Sequence, residues 1–317
     1  MKHASLSLKT GWSCTSVNSP ARCQNLVESG HVSLTARKNL TGFVFFIPAL
    51  FGMSVFFLIP FGITVYYSFT SGIAGGGVFV GLENYISVLS SGTFHLAALN
   101  TMKFICVAVP LIMAFSLLIA LVLNRKLKGS GFFRATIILP LVLPTVSIIL
   151  FFQIIFSESG AANAVLAWLG MPIKNWLQSS SAFTVLVILY IWKNCGYNII
   201  LFLAALNTIP RELYEAAELD GGRASTKLFS ITLPLIMPSV FFIFIISFIN
   251  SFKSFREAFL LCGAYPHRSI YMLQHFMNNN FGNLNYQRLS VGAIMVFLVI
   301  FAFVSLLVWA KNREGQV

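Results

Sequence analysis

Apolar residues occupy this chain in six long blocks, set apart by short polar stretches. The blocks run from about Phe43 to Tyr67, Met102 to Leu123, Thr136 to Phe156, Phe183 to Leu206, Pro238 to Phe259 and Val291 to Trp309. Each is close to the roughly 20 residues that a helix needs to cross the hydrocarbon core of a bilayer. The pattern predicts an all-α, polytopic membrane protein of about six transmembrane helices. Ahead of the first block, residues 1–40 are polar and lack the continuous apolar stretch of a secretory signal. They read as a cytoplasmic tail, followed by a membrane domain over 41–312 and a short cytoplasmic end at 313–317.

Composition agrees. Of 317 residues, 57% are hydrophobic and 9% charged, too few charges to cover a soluble domain of this size, where about 25% is usual. The net charge of +12 could suggest a nucleic-acid partner, but the basic residues are scattered among short loops. The clustered basic face that nucleic acid requires is missing. In a membrane protein such an excess marks cytoplasmic loops beside anionic lipid. Arg125, Lys126, Lys128 and Arg134 follow the second block, Arg211, Arg223 and Lys227 the fourth, and Lys311 and Arg313 the sixth. These places fall on one side of a six-helix path, with both termini in the cytoplasm. Lys253, Arg256, Arg268 and Arg288, around the last outer loop, depart from the bias. Lys253 and Arg256 are expected to snorkel to the outer interface, although an anionic, phosphate-bearing ligand would also suit them.

Charge is concentrated in one place, the inner loop over 207–236, where Glu212, Glu215, Glu218, Asp220, Arg223 and Lys227 stand between two apolar blocks. Pro210 suits the first turn of a helix, and Arg211 to Asp220 is rich in helix formers. Leu213, Ala216, Ala217 and Asp220 fall at i, i+3, i+4 and i+7, a face of mainly small residues. Gly221 and Gly222 supply a left-handed stop. A second short helix is expected from about Ser225 to Thr232, ending at Leu233–Pro234 before the fifth block. An ordinary amphipathic hairpin at the membrane surface would share these local features.

The spacing within that loop says more. Glu215–Ala216–Ala217 is followed after three residues by Gly221, after nine more by Ile231, and after one by Leu233–Pro234. This resembles the EAA loop of permease subunits in bacterial ABC importers. "IPRELYEAAELDGG" and "ITLPLIMPS" resemble the carbohydrate-uptake branch, as do "VGLENY", "ALNT", "FFRATIILPLVLPTV" and "FKSFREAFLL" in their order along the chain. The resemblance covers about Thr41 to Lys311. It implies the transmembrane domain of a type I ABC importer that translocates a sugar or oligosaccharide, or else glycerol phosphate or another polyol derivative.

The same resemblance implies partners: a second related permease, ABC ATPase subunits and an extracytoplasmic solute-binding protein. The helix carrying Glu215, Ala216, Ala217, Asp220 and Gly221 would dock in a cleft of the ATPase, Glu215 holding the contact by charge and Gly221 permitting the turn. The outer loop from Leu260 to Gln287, read from its residues as solvated, would help dock the binding protein.

This chain is not expected to be an enzyme or to carry a cofactor. "GGRASTKL" lacks the Gly-Lys-Ser/Thr core of a phosphate-binding loop, so ATP and Mg are expected on the partner ATPase. The five histidines are scattered, and the five cysteines form no C-x-x-C pair and read as small buried hydrophobes. A secondary transporter would need ion-coupling acids inside its helices, whereas the acidic residues here fall at edges or in loops. The candidate substrate pathway comprises Gln153 in the third block, Asn194 and Asn198 in the fourth, and Ser247, Asn250 and Ser254 in the fifth. Neutral amides and hydroxyls suit sugar hydroxyls, and Trp192 and Phe252 offer faces for stacking. The same polar residues could equally serve interhelical hydrogen bonds.

Overall fold

A computed structural model describes residues 46–72, 77–125 and 130–314. The tail over 1–40, Lys126 and Lys128 lie outside the described residues, as do Cys14 and Cys23. The chain divides into two compact units, Met1–Gly62 and Ile63–Val317. Among the described residues five helices are long and apolar enough to cross a membrane, or six if one bent pair counts as a single span. The chain is a helical, multi-pass membrane protein.

In the first unit, residues 46–62 are helical and none is buried. They belong to α1 (Phe46–Phe69), which opens into a π turn at Ser54–Leu58 just before Pro60. A proline cannot donate to the helical ladder and its ring crowds the carbonyl four residues back. A wider turn relieves that crowding.

The second unit holds the core. A short hairpin pairs β1 (Thr70–Ser71) with β2 (Val78–Phe79), and α2 (Glu83–Leu89) follows. Within the "VGLENY" stretch, the Asn84 amide donates to the carbonyls of Ser68 (3.1 Å) and Thr70 (2.9 Å), and Tyr85 donates to the Ser68 hydroxyl. Helix α3 (Gly92–Leu123) begins ten residues before the predicted second block. Its 32 residues span about 48 Å at 1.5 Å each, well beyond a bilayer core.

The third block is not one straight helix. It consists of α4 (Ser130–Val142) and α5 (Thr145–Ile155), bent by 95° at Leu143–Pro144. Proline disfavours helical geometry in the residue before it, so Pro144 ends one helix and starts the next. Helix α6 (Ala161–Trp168) follows, and the long α7 (Ala182–Leu206) packs mainly on α3. Their interface uses Phe104, Ala108, Ile112 and Ala120 from α3 against residues such as Leu186, Leu189 and Phe202 from α7. Small residues let neighbouring helices approach closely. At Gly196, an added Cβ would lie 2.6 Å from the Ile137 carbonyl of α4.

The charged loop begins with α8 (Arg211–Leu219). The expected separate second helix is absent. Residues 224–262 form one continuous apolar helix, α9 (Ala224–Cys262), with a π turn at Lys227–Thr232 and a 3-10 turn at Phe252–Ser254. Pro234, expected to end the short helix, sits two residues after the π turn and is absorbed in the same way as Pro60.

The loop from Leu260 to Gln287 also departs from expectation, being packed where a solvated loop was predicted. It contains a 3-10 turn at Arg268–Ile270 and α10 (Leu273–Gly282), which lies on α3 and the final helix α11 (Tyr286–Glu314). His275 is fully buried there, its Nδ1 accepting from the Met272 backbone N–H at 3.1 Å. Burial pushes its pKa down to about 4. The "ALNT" stretch anchors this element to α3. The Asn100 amide donates to the carbonyls of Arg268 (2.6 Å) and Tyr271 (3.0 Å), and the Leu273 N–H donates to the Thr101 hydroxyl (3.0 Å).

Candidate functional site

Two features of the second unit carry chemistry: an exposed charged helix and a polar cavity between helices.

Helix α8 buries none of its residues, and Leu219 is 90% exposed. Its end follows from the two glycines. Gly221 adopts φ +72°, its N–H donating to the Glu218 carbonyl (3.1 Å), and the Gly222 N–H reaches back to the Ala217 carbonyl (2.7 Å). That pair of bonds is a Schellman cap. A Cβ on Gly222 would stand 2.7 Å from the Ala217 oxygen, so both positions need glycine for different reasons.

Two further contacts set the angle of α8 to α9. The Thr232 hydroxyl donates to the Lys227 carbonyl (3.1 Å), leaving its oxygen to accept from Tyr214 at 2.8 Å. Lys227 also pairs with Glu218 at 2.6 Å. Glu215, Ala216 and Asp220 are exposed and Ala217 is half-buried. This leaves a short, braced helix that presents its outer face for contact. Tyr214 and Thr232 went unnoticed in the sequence, where neither stands out among its neighbours.

The cavity has a volume of about 350 Å³ and lies between the α4–α5 bend, α7 and α9. Five of the six predicted pathway residues line it: Asn194, Asn198, Ser247, Asn250 and Ser254. The helical spacing that placed Ser247, Asn250 and Ser254 on one face is therefore realised. Gln153 lies elsewhere. Its amide donates to the carbonyls of Leu260 (3.1 Å) and Leu261 (3.0 Å), tying α5 to the end of α9. The aromatic expectation shifts as well: Trp192 packs on Phe152 and Phe252 on Phe248, while Tyr190 and Tyr197 line the cavity.

The polar residues of the cavity have two different duties. Asn198 donates to the Ser247 hydroxyl at 2.9 Å between buried positions on α7 and α9, a structural interhelical bond. The Asn194 amide donates to its own helix at the Tyr190 carbonyl, 2.9 Å away. By contrast, the side chains of Asn250 and Tyr197 have no hydrogen-bond partner among the described residues. Those groups are open to a ligand.

Charge was underestimated at this site. Lys193 and Glu257, 7% and 4% exposed, form a buried ion pair between α7 and α9 on the cavity wall. The acidic residues therefore do not all fall at helix edges or in loops. Lys253 and Arg256, expected to snorkel outward, line the same cavity, and Arg256 Nη2 lies 3.8 Å from Glu257 Oε1. The available signal was a lysine in the fourth block facing a lone acid in the fifth. The two are 64 positions apart, and only a helix-pairing register relates them.

The family described as "Binding-protein-dependent transport system inner membrane component" matches residues 112–313, well over half of the chain. The chain belongs to this family. Among relatives, the arabinooligosaccharides transport system permease protein AraP of Bacillus subtilis is 34% identical over 238 residues, covering 74% of this chain and 76% of its own. The trehalose/maltose transport system permease protein MalF of Thermococcus litoralis is 32% identical over 274 residues, covering 85% and 93%. In fold, the chain matches one in the crystal structure of a bacterial alginate ABC transporter complexed with alginate pentasaccharide-bound periplasmic protein. The TM-score is 0.78 at 18% identity, over 89% of this chain and 97% of that one. Membership of this family makes the protein a membrane permease subunit, a transport component.

Proposed function

We propose that this protein is a permease subunit of an ATP-driven importer that translocates a sugar or oligosaccharide delivered by an extracytoplasmic binding protein. The observation that carries this reading is the cavity, whose open amide and phenol groups on α7 and α9 match the donors and acceptors of sugar hydroxyls. The carbohydrate specificity of AraP and MalF supports it.

In this reading the exposed face of α8, with Glu215, Ala216, Ala217 and Asp220, docks in a cleft of a separate ATPase that binds ATP and Mg. Gly221 and the Tyr214–Thr232 bond hold the angle at which α8 meets α9, so a displacement of α8 is passed directly to the cavity wall. The bias of the basic loops supports a cytoplasmic position for α8 and both termini. A second, related permease completes the pathway. ATP and the loaded binding protein act by each favouring the outward-facing state over the inward one.

The test is purification from native membranes in mild detergent, with mass spectrometry of what accompanies the chain. An ATPase and a second permease should co-purify, and Glu215→Lys with Gly221→Asp should remove the ATPase alone. If no ATPase accompanies the native chain under gentle conditions, the importer reading is wrong.

A further inference from the structure

Charge in the cavity is not balanced. Glu257 is the only acidic residue within the membrane spans among the described residues, and its carboxylate is engaged by Lys193. Two more cations, Lys253 and Arg256, line the same space, three and six residues beyond Asn250 along α9. Lys253 forms no ion pair or hydrogen bond among the described residues, and Arg256 touches only the already paired Glu257 oxygen at 3.8 Å. Cations within membrane spans carry a desolvation cost that is relieved by a counter-charge. A neutral glycan would leave Lys253 and Arg256 without one each time the site closes.

We infer that the cargo is an anionic carbohydrate, one bearing carboxylate, sulfonate or phosphate groups, with Lys253 and Arg256 receiving the anion and Asn250 and Tyr197 the neighbouring hydroxyls. This rests on the importer reading and narrows it to a substrate class. Lys193 and Glu257 cancel each other, which keeps the excess positive charge at the two exposed side chains where a moving ligand can meet it. The arginine fork matches the two oxygens of a carboxylate.

The complex, purified with its partners, is placed in nanodiscs of phosphatidylcholine alone or with phosphatidylglycerol. Equilibrium dialysis then follows radiolabelled trigalacturonate and maltotriose, which have equal ring counts but differ in charge. Trigalacturonate should bind about tenfold more tightly, as expected for one added charge-assisted hydrogen bond. The preference should shrink in high salt and disappear in Lys253→Gln/Arg256→Gln, in which trigalacturonate binding should fall to the level of maltotriose measured on the same variant. Equal binding by the native complex, or binding of neither sugar, overturns the inference. So does a variant that loses bound phosphatidylglycerol while keeping its sugar preference, because the cations would then be lipid anchors. These failures leave the importer reading intact as long as the ATPase still co-purifies.

Discussion

The Lys193 ammonium lies directly against the Glu257 carboxylate, joining the middle of α7 to the last turns of α9 at the cavity wall. Both residues are more than nine-tenths buried, so losing one partner leaves the other charge poorly compensated. Lys193→Met should destabilise the protein by about 3–5 kcal/mol, whereas a paired apolar replacement such as Lys193→Met/Glu257→Leu should recover most of that loss. Thermal unfolding of the two single variants and the double variant in detergent gives the coupling directly. Additive losses would mean that the contact contributes nothing as a pair.

Gly222 offers a separate test of the charged helix. Gly222→Ala places a methyl against the Ala217 carbonyl oxygen and disrupts the cap of α8. Since α8 has no fully buried residue, the membrane core should be little affected. The unfolding midpoint should shift little, while ATPase co-purification and substrate-stimulated ATP turnover both fall. Ser225→Ala, on an exposed neighbour, is the control and should change neither.

Tyr214→Phe removes one hydroxyl and with it the bond to Thr232, a change worth about 1 kcal/mol at a half-buried site. Hydrogen exchange should quicken over Arg211–Leu219 and stay unchanged in α3 and α7. Unaltered exchange in α8 would show that the bond does not brace it.

His275 makes the segment around α10 sensitive to acid. Its pKa falls from 6.5 to about 4 because burial disfavours the charged ring. Above 6.5 the imidazole is neutral whether the segment is folded or open, so stability does not change. Between 6.5 and about 4 the open form takes up a proton that the folded form refuses, and stability declines as pH falls through that window. Below it the loss levels off. Hydrogen exchange over Leu273–Gly282 at a series of pH values should follow this course, and His275→Gln should flatten it. A native profile without slope between 6.5 and 4 would contradict the assignment.

Local chemistry made much of this protein readable before any coordinates. Apolar runs near the length of a bilayer leave few alternatives to spanning helices. The stop at Gly221 was legible because backbone conformation at a helix end depends on a few adjacent residues, and the face shared by Ser247, Asn250 and Ser254 because helical spacing is regular. Relations between distant helices could not be read this way. The pairing of Lys193 with Glu257, the placement of Lys253 and Arg256 in the cavity, and the diversion of Gln153 to the end of α9 depend on how α5, α7 and α9 meet. Continuity of α9 through Pro234 was decided by a π turn that no residue type announces. His275 was buried by packing of α10 against α3 and α11, which its polar neighbours do not suggest. Hydrophobicity assigns each segment to lipid or water residue by residue, but contact between polar groups requires helix rotation and register, which are set jointly by every side chain in the interface.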